Sequence, residues 1–228
     1  MELTWLGHAT WLLKTAGHKI LIDPFLTGSP TAPLKAEQVE ADFILVSHGH
    51  ADHISDCAAI AKRTKAVVIS NFEICNWLAG QGVERTVAHN LGGGSRQPFG
   101  RVQLTIAHHS SSLPDGANGG NPSGFLLALE QEKKNVYFAC DTGLFYDMRL
   151  ISSVGLELAV LPIGDLFTMG PADALEAAKM LDPKHVVPSH FNTWPPIEQD
   201  AAGWAAQVKK ALPNCQPHVL KPGEALTL

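Results

Sequence analysis

Six consecutive residues, His48-Gly49-His50-Ala51-Asp52-His53, place three imidazoles and a carboxylate directly after the apolar run Phe43-Ile44-Leu45-Val46. A short, bounded run of this kind reads as a buried strand, so the donor groups leave its end on a connecting loop. Imidazole and carboxylate together suit zinc, manganese or iron. Neighbouring residues on so tight a turn point in different directions, which suits two adjacent ions better than one tetrahedral ion. A chain with 11 histidines also produces solvated His-rich loops by chance. Asp52 argues against that reading, because it interrupts the run at the position a second metal would use.

The remainder of the chain supplies the frame for this loop. Period-two patterns predict strands at 3–6, 10–14 and 19–22, the third closed by Asp23-Pro24-Phe25. Helical spacing over 54–63 begins at Ser55 as N-cap, a strand follows at 66–69, and Asn71 caps a helix closed by Gly80. Strands at 85–88 and 102–107 precede a polar stretch, 110–123, filled with turn chemistry such as Pro114-Asp115-Gly116. A loop of that length in a compact domain is often functional, and it is the expected place for substrate recognition. Next come a hairpin of 124–129 with 135–139, a buried strand at 158–161, and a helix opened by Pro171 over 172–181. A strand at 185–187, an amphipathic helix at 199–212 and two short C-terminal strands complete the pattern. Two sheets packed together with helices outside, in one α/β domain over 1–228, are the expected architecture.

Net charge of −5 and the lack of a Lys/Arg cluster argue against nucleic acid as a partner. No apolar run approaches the ~20 residues needed to span a bilayer, so no membrane insertion is expected. Cys57, Cys75, Cys140 and Cys215 form no Cys-x-x-Cys pair and read as buried free thiols. The N-terminal residues enter strand alternation without a basic leader, which points to a cytoplasmic protein. A small-molecule substrate is expected, and homo-oligomerisation stays open.

Three further residues share the setting of His48. His109 follows the apolar strand at 102–107, Asp141 follows Val136-Tyr137-Phe138-Ala139-Cys140, and His190 follows His185-Val186-Val187-Pro188-Ser189. Each is delivered at a strand exit, where a ligand is held more rigidly than on a free loop.

The order His-x-His-x-Asp-His, then His, Asp and His, resembles the metallo-β-lactamase superfamily. Trp5-Leu6-Gly7-His8-Ala9-Thr10, Ile22-Asp23-Pro24-Phe25, Asp141-Thr142-Gly143-Leu144, Leu161-Pro162-Ile163-Gly164-Asp165 and His190-Phe191-Asn192-Thr193 resemble its small metal-dependent hydrolases. That branch is akin to ascorbate-6-phosphate lactonase. The resemblance implies a four-layer αββα sandwich with the site at one edge of the two sheets. It implies His48, His50 and His109 on a first ion, Asp52, His53 and His190 on a second, and Asp141 between them. Asp23 would support the ligand loop without binding metal. Ile54-Ser55-Asp56 replaces the Gly-containing turn of glyoxalase-like members, and Cys140 precedes Asp141 and does not replace it. Both departures lead away from thioester hydrolases and the zinc β-lactamases proper.

The resemblance implies hydrolysis of a small-molecule ester, lactone or phosphodiester by a hydroxide held between two divalent ions, zinc first, manganese or iron otherwise. Asp52 or Asp141 would orient the nucleophile and accept its proton. His8 is a candidate for touching substrate, with a structural hydrogen bond the commoner role for such a residue. Asp165 is placed for turn support, Ser110, Ser111 and Ser112 lack the base of a serine nucleophile, and Lys14, Arg96 and Arg101 are scattered cations. A phosphodiesterase or nuclease is the alternative within enzymes. A non-catalytic metal-binding or ligand-sensing protein is the alternative outside them.

Overall fold

The computed structural model describes residues 1–228. Strands β1 (Glu2–Trp5), β2 (Trp11–Thr15), β3 (His18–Ile22) and β4 (Phe43–Leu45) lead into two short helices, α1 (Ala51–Ile54) and α2 (Cys57–Thr64). β5 (Val67–Asn71), α3 (Phe72–Gly80) and β6 (Thr86–His89) complete the first half of the chain. The second half begins with β7 (Gly94–Gln97), β8 (Gly100–Ile106), β9 (Ser123–Leu129) and β10 (Lys134–Phe138). It continues through α4 (Met148–Ile151), β11 (Leu156–Pro162), α5 (Pro171–Leu181), β12 (His185–Ser189), α6 (Ala201–Ala211), β13 (Gln216–Pro217) and β14 (Ala225–Thr227).

These strands form two seven-stranded sheets, ordered β14-β1-β2-β3-β4-β5-β6 and β13-β12-β11-β10-β9-β8-β7. The C-terminal strands divide between the sheets, with β14 pairing antiparallel to β1 and β13 parallel to β12. In each sheet an antiparallel part gives way to a parallel one, and the parallel strands β4 and β12 are buried on both faces.

Strand periodicity explains the layering. Ile20 and Ile22 of β3 and Phe43 and Leu45 of β4 enter the larger core, while the intervening Leu21 and Ile44 enter a second core. That alternation sends one face of the first sheet toward the other sheet and its opposite face toward α2 and α3, through Ile60, Ala61, Ile74 and Leu78. On the far side, Ala174, Ala177, Ala178 and Leu181 of α5 recur at helical spacing and join the core with Trp204 and Val208 of α6. The order of layers is therefore helix, sheet, sheet, helix, as the resemblance implied. The indole of Trp11 donates to Ser189 Oγ at 3.0 Å, tying β2 of one sheet to β12 of the other.

Several expectations are corrected. The helix over 54–63 is two helices, because the Asp56 carboxylate accepts from the amides of Leu26 (2.6 Å) and Thr27 (2.8 Å) at the break. Ser55 does not cap; its hydroxyl donates back to the Ala51 carbonyl. Asp52 and His53 sit on the helical turn α1 and not on an open loop. Strand β7 and helix α4 were not anticipated. All four cysteines are free thiols as expected, but Cys140 is half-buried where the other three are buried.

Candidate metal centre

Strand exits converge at one edge of the sandwich, and several do so under backbone strain. His8 (φ 50°), Asp23 (φ 46°), Cys140 (φ 54°) and His190 (φ 53°) follow β1, β3, β10 and β12 in left-handed conformation without being glycine. Each such residue costs on the order of 1 kcal/mol or more, which the surrounding packing must offset, and such strain concentrates at functional sites. The sharp turns bring the two sheets together here: the His8 carbonyl accepts from the His190 amide at 3.1 Å and from the Trp5 indole at 2.9 Å.

Two groups of side chains result. In the first, His48 Nε2 lies 2.9 Å from His50 Nδ1, which lies 3.3 Å from His109 Nε2. In the second, the ligand-type atoms of His8, Asp52, His53 and His190 all lie within 4.8 Å of one another. Asp141 stands between them. Its Oδ2 is 3.1 Å from His190 Nε2, 3.2 Å from His53 Nε2 and 3.7 Å from His109 Nε2. All seven residues singled out as ligands are thus brought together, and His8 joins them.

Partners on the outer side set the imidazole tautomers. Asp23 Oδ1 accepts from the Ser47 amide at 2.7 Å and Oδ2 from the Ser47 hydroxyl at 2.6 Å. The Ser47 oxygen is left to accept from His48 Nδ1 at 2.9 Å, while Asp23 Oδ2 takes the His53 Nδ1 proton, also at 2.9 Å. Both rings therefore turn Nε2 inward. Ser47 was not anticipated from sequence, where an ordinary serine beside a histidine carries no signal.

Burial of this much titratable material shifts its protonation. Burial drives His48 well below the usual imidazole range, with the neighbouring His53 charge acting in the same direction. Burial also lowers His8, to about 4, with His190 reinforcing it. His53 goes the other way: desolvation lowers it, but the Asp141 charge, aided by Asp23, outweighs that and holds it well above the ordinary value. Desolvation raises Asp141 and Asp52, yet the charges of His190 and His53 pull Asp141 far down, and the bond to His8 with the His53 charge pulls Asp52 down.

The donor set fits divalent cations. His53 Nε2 and Asp141 Oδ1 are buried without a hydrogen-bond partner, and Asp141 Oδ2 lies 3.2 Å from His53 Nε2. The metal-free site keeps a proton on His53; a divalent cation would displace it and take up the converging lone pairs of imidazoles and carboxylates.

Residues 2–190 match the model of the β-lactamase superfamily domain. The chain belongs to this superfamily. Across all of its length it is 50% identical to a metal-dependent hydrolase of Heliobacterium modesticaldum, covering 98% of that protein. It is 48% identical to one of Thermus thermophilus, covering 99% of it. A solved metallo hydrolase from Ignicoccus hospitalis superposes at TM-score 0.90, with 34% identity over 100% of this chain and 97% of that one. An isothiocyanate hydrolase from Delia radicum gut bacteria shares the fold at TM-score 0.77 and 21% identity, over 100% of this chain and 99% of its own.

In this superfamily member the centre opens into a cavity of about 570 Å³, lined by His50, Asp52, His109, Asp141 and His190 with Ala51, Ser110, Leu166, Phe167 and Trp194. His8 is fully buried behind it, with Nε2 on Asp52 Oδ2 (3.1 Å) and Nδ1 on Thr193 Oγ1 (2.7 Å). The long 110–123 loop contributes only Ser110 to the wall. Its remainder stays out of the wall and braces the ligand segment, through Ser111 Oγ, which accepts from the Gly49 amide, and through Asn71, which donates to the carbonyls of Gly119 and Asn121. His108 turns away and stacks on Phe145. Lys14 and Arg96 pair with Glu2 and Glu130, and neither they nor Arg101 reach the cavity. Asp165 accepts from the Leu166 amide within its own turn. No helix is long and apolar enough to cross a membrane.

Proposed function

We propose that this metal-dependent hydrolase cleaves an ester, lactone or phosphodiester bond of a small molecule at a centre of two divalent ions. His48, His50 and His109 hold one ion, Asp52, His53 and His190 hold the other, and Asp141 is shared. The observation that carries this reading is the position of Asp141 Oδ2, within 3.7 Å of imidazole nitrogens from both groups. Zinc suits a site of five imidazoles and two carboxylates best, ahead of manganese or iron. Bound there, such ions supply a water of lowered pKa and polarise a carbonyl or phosphoryl oxygen.

The chain's own residues do the rest. The Asp52 side chain is 31% exposed and lines the cavity, so it is placed to orient the attacking water and accept its proton. Asp141 is 3% exposed and walled by three imidazoles, which suits holding over proton transfer. His8, pinned between Thr193 and Asp52, fixes the carboxylate's orientation from behind. Four unpaired thiols fit a reducing, cytoplasmic setting.

The test is hydrolysis of an ester, lactone and phosphodiester panel by metal-loaded protein and by His50→Ala. Loss of bound metal together with turnover in the variant supports the reading. Full activity with unchanged metal content overturns it.

A further inference from the structure

Beside the charged groups of the cavity stand three apolar side chains that the hydrolytic machinery does not use. Leu166 is 65% exposed, Phe167 59% and Trp194 37%, and all three line the same cavity as His50, Asp52, His109, Asp141 and His190. No lysine or arginine lines that cavity.

The apolar pair is held outward by a built turn. Asp165 (φ 61°) and Leu166 (φ 52°) are consecutive left-handed residues, neither of them glycine. The turn is closed by the Leu166 amide on Asp165 Oδ1 at 2.8 Å and the Asp165 amide on the Met169 carbonyl at 3.1 Å. The Met169 amide donates in turn to the Thr142 carbonyl at 2.9 Å, so the turn is anchored one residue from Asp141. Gly170 lets it close: a Cβ there would meet the Asp165 carboxyl carbon at 3.1 Å. Trp194 is fixed too, with its ring 5.0 Å from that of His8, edge to face, and 6.0 Å from that of Phe25. Large apolar groups kept in water by a strained but well-bonded turn, at the mouth of a polar site, are arranged for a ligand.

We propose that Leu166, Phe167 and Trp194 form the subsite for an uncharged alkyl or aryl arm of the substrate, which places the preferred substrates among compounds such as esters and lactones of apolar acids and not among phosphate-bearing sugars. The proposal rests on the hydrolytic reading of the centre. An anionic arm lying on these side chains, away from the metal ligands, would lose hydration with no lysine or arginine to meet it. An alkyl arm instead gains about fourfold in affinity for each methylene it buries.

Metal-loaded protein is titrated calorimetrically with straight-chain hydroxamates from acetohydroxamate to octanohydroxamate, and with octanohydroxamate carrying a terminal sulfonate, a poor metal ligand, so that all share one metal-binding head. Affinity is expected to rise by at least tenfold along the series, with the sulfonate weaker than octanohydroxamate. The double substitution Leu166→Ser with Phe167→Ser is expected to flatten the series while metal content stays unchanged, which separates a lost subsite from a lost fold. A flat series in the unmutated protein, or a sulfonate that binds tightest, overturns the proposal. Turnover of matched acetyl and octanoyl esters is followed separately. A rising binding series without hydrolysis contradicts the hydrolytic reading and leaves the subsite standing, whereas no binding by any hydroxamate contradicts both.

Discussion

Asp23 Oδ2 lies 2.9 Å from His53 Nδ1, with both side chains fully buried, and the same carboxylate reaches His48 through the Ser47 hydroxyl. One residue that faces no cavity thereby sets the orientation of an imidazole in each of two ligand groups. Partners of this kind tune metal affinity by roughly 10–100-fold. Asp23→Asn is therefore expected to weaken retention of both ions by about that factor, measured by competition with a chelator of known affinity. Unchanged retention would show that the rings hold their orientation without it.

His53 predicts a pH dependence. Its folded pKa is raised above the unfolded value, so in metal-free protein the imidazolium between Asp23 and Asp141 adds stability that is complete below about pH 6.5. That contribution is lost as pH rises through the folded value. A metal ion requires the neutral ring, so loading displaces the proton and apparent metal affinity increases with pH. Calorimetric titration in buffers of different ionisation enthalpy should report proton release near neutral pH, absent in His53→Ala. Metal uptake without proton release would contradict this account.

Leu45 separates fold from site. It is completely buried in β4, three positions before His48, and contributes no donor. Leu45→Ala is expected to cost about 2–5 kcal/mol in denaturant unfolding by opening a cavity between the sheets. Metal stoichiometry should remain unchanged below the transition. A cost well under about 1 kcal/mol would mean that the intersheet core collapses onto the gap.

The cluster of candidate ligands was legible because His, Asp and His at strand exits carry chemistry in their residue types, whatever the local geometry. The layering was legible for a similar reason: the alternation of Ile20, Leu21 and Ile22 is a period-two signal that packing simply obeys. What escaped was set by contacts distant in sequence. The helix break at Asp56 depends on two amides thirty and twenty-nine residues earlier, at Leu26 and Thr27. Gly94-Ser95-Arg96-Gln97 has no strand propensity and becomes β7 by pairing with β8. The expected substrate loop, 110–123, lends the cavity wall only Ser110, while Leu166, Phe167 and Trp194 reach the cavity from loops where isolated apolar residues show no periodicity. Of the two roles weighed for His8, the structure shows hydrogen bonds to Thr193 and Asp52 from a buried position, because the turn after β1 folds back under the exit of β12.

Metal stoichiometry, measured by elemental analysis on the purified protein and on Asp141→Asn, tests the central claim most directly. The account predicts two equivalents of divalent metal per chain, and a joint fall of both in the variant, since Asp141 Oδ2 is within reach of both imidazole groups. One equivalent per chain, or a variant that surrenders a single ion and keeps the other, would contradict the shared centre.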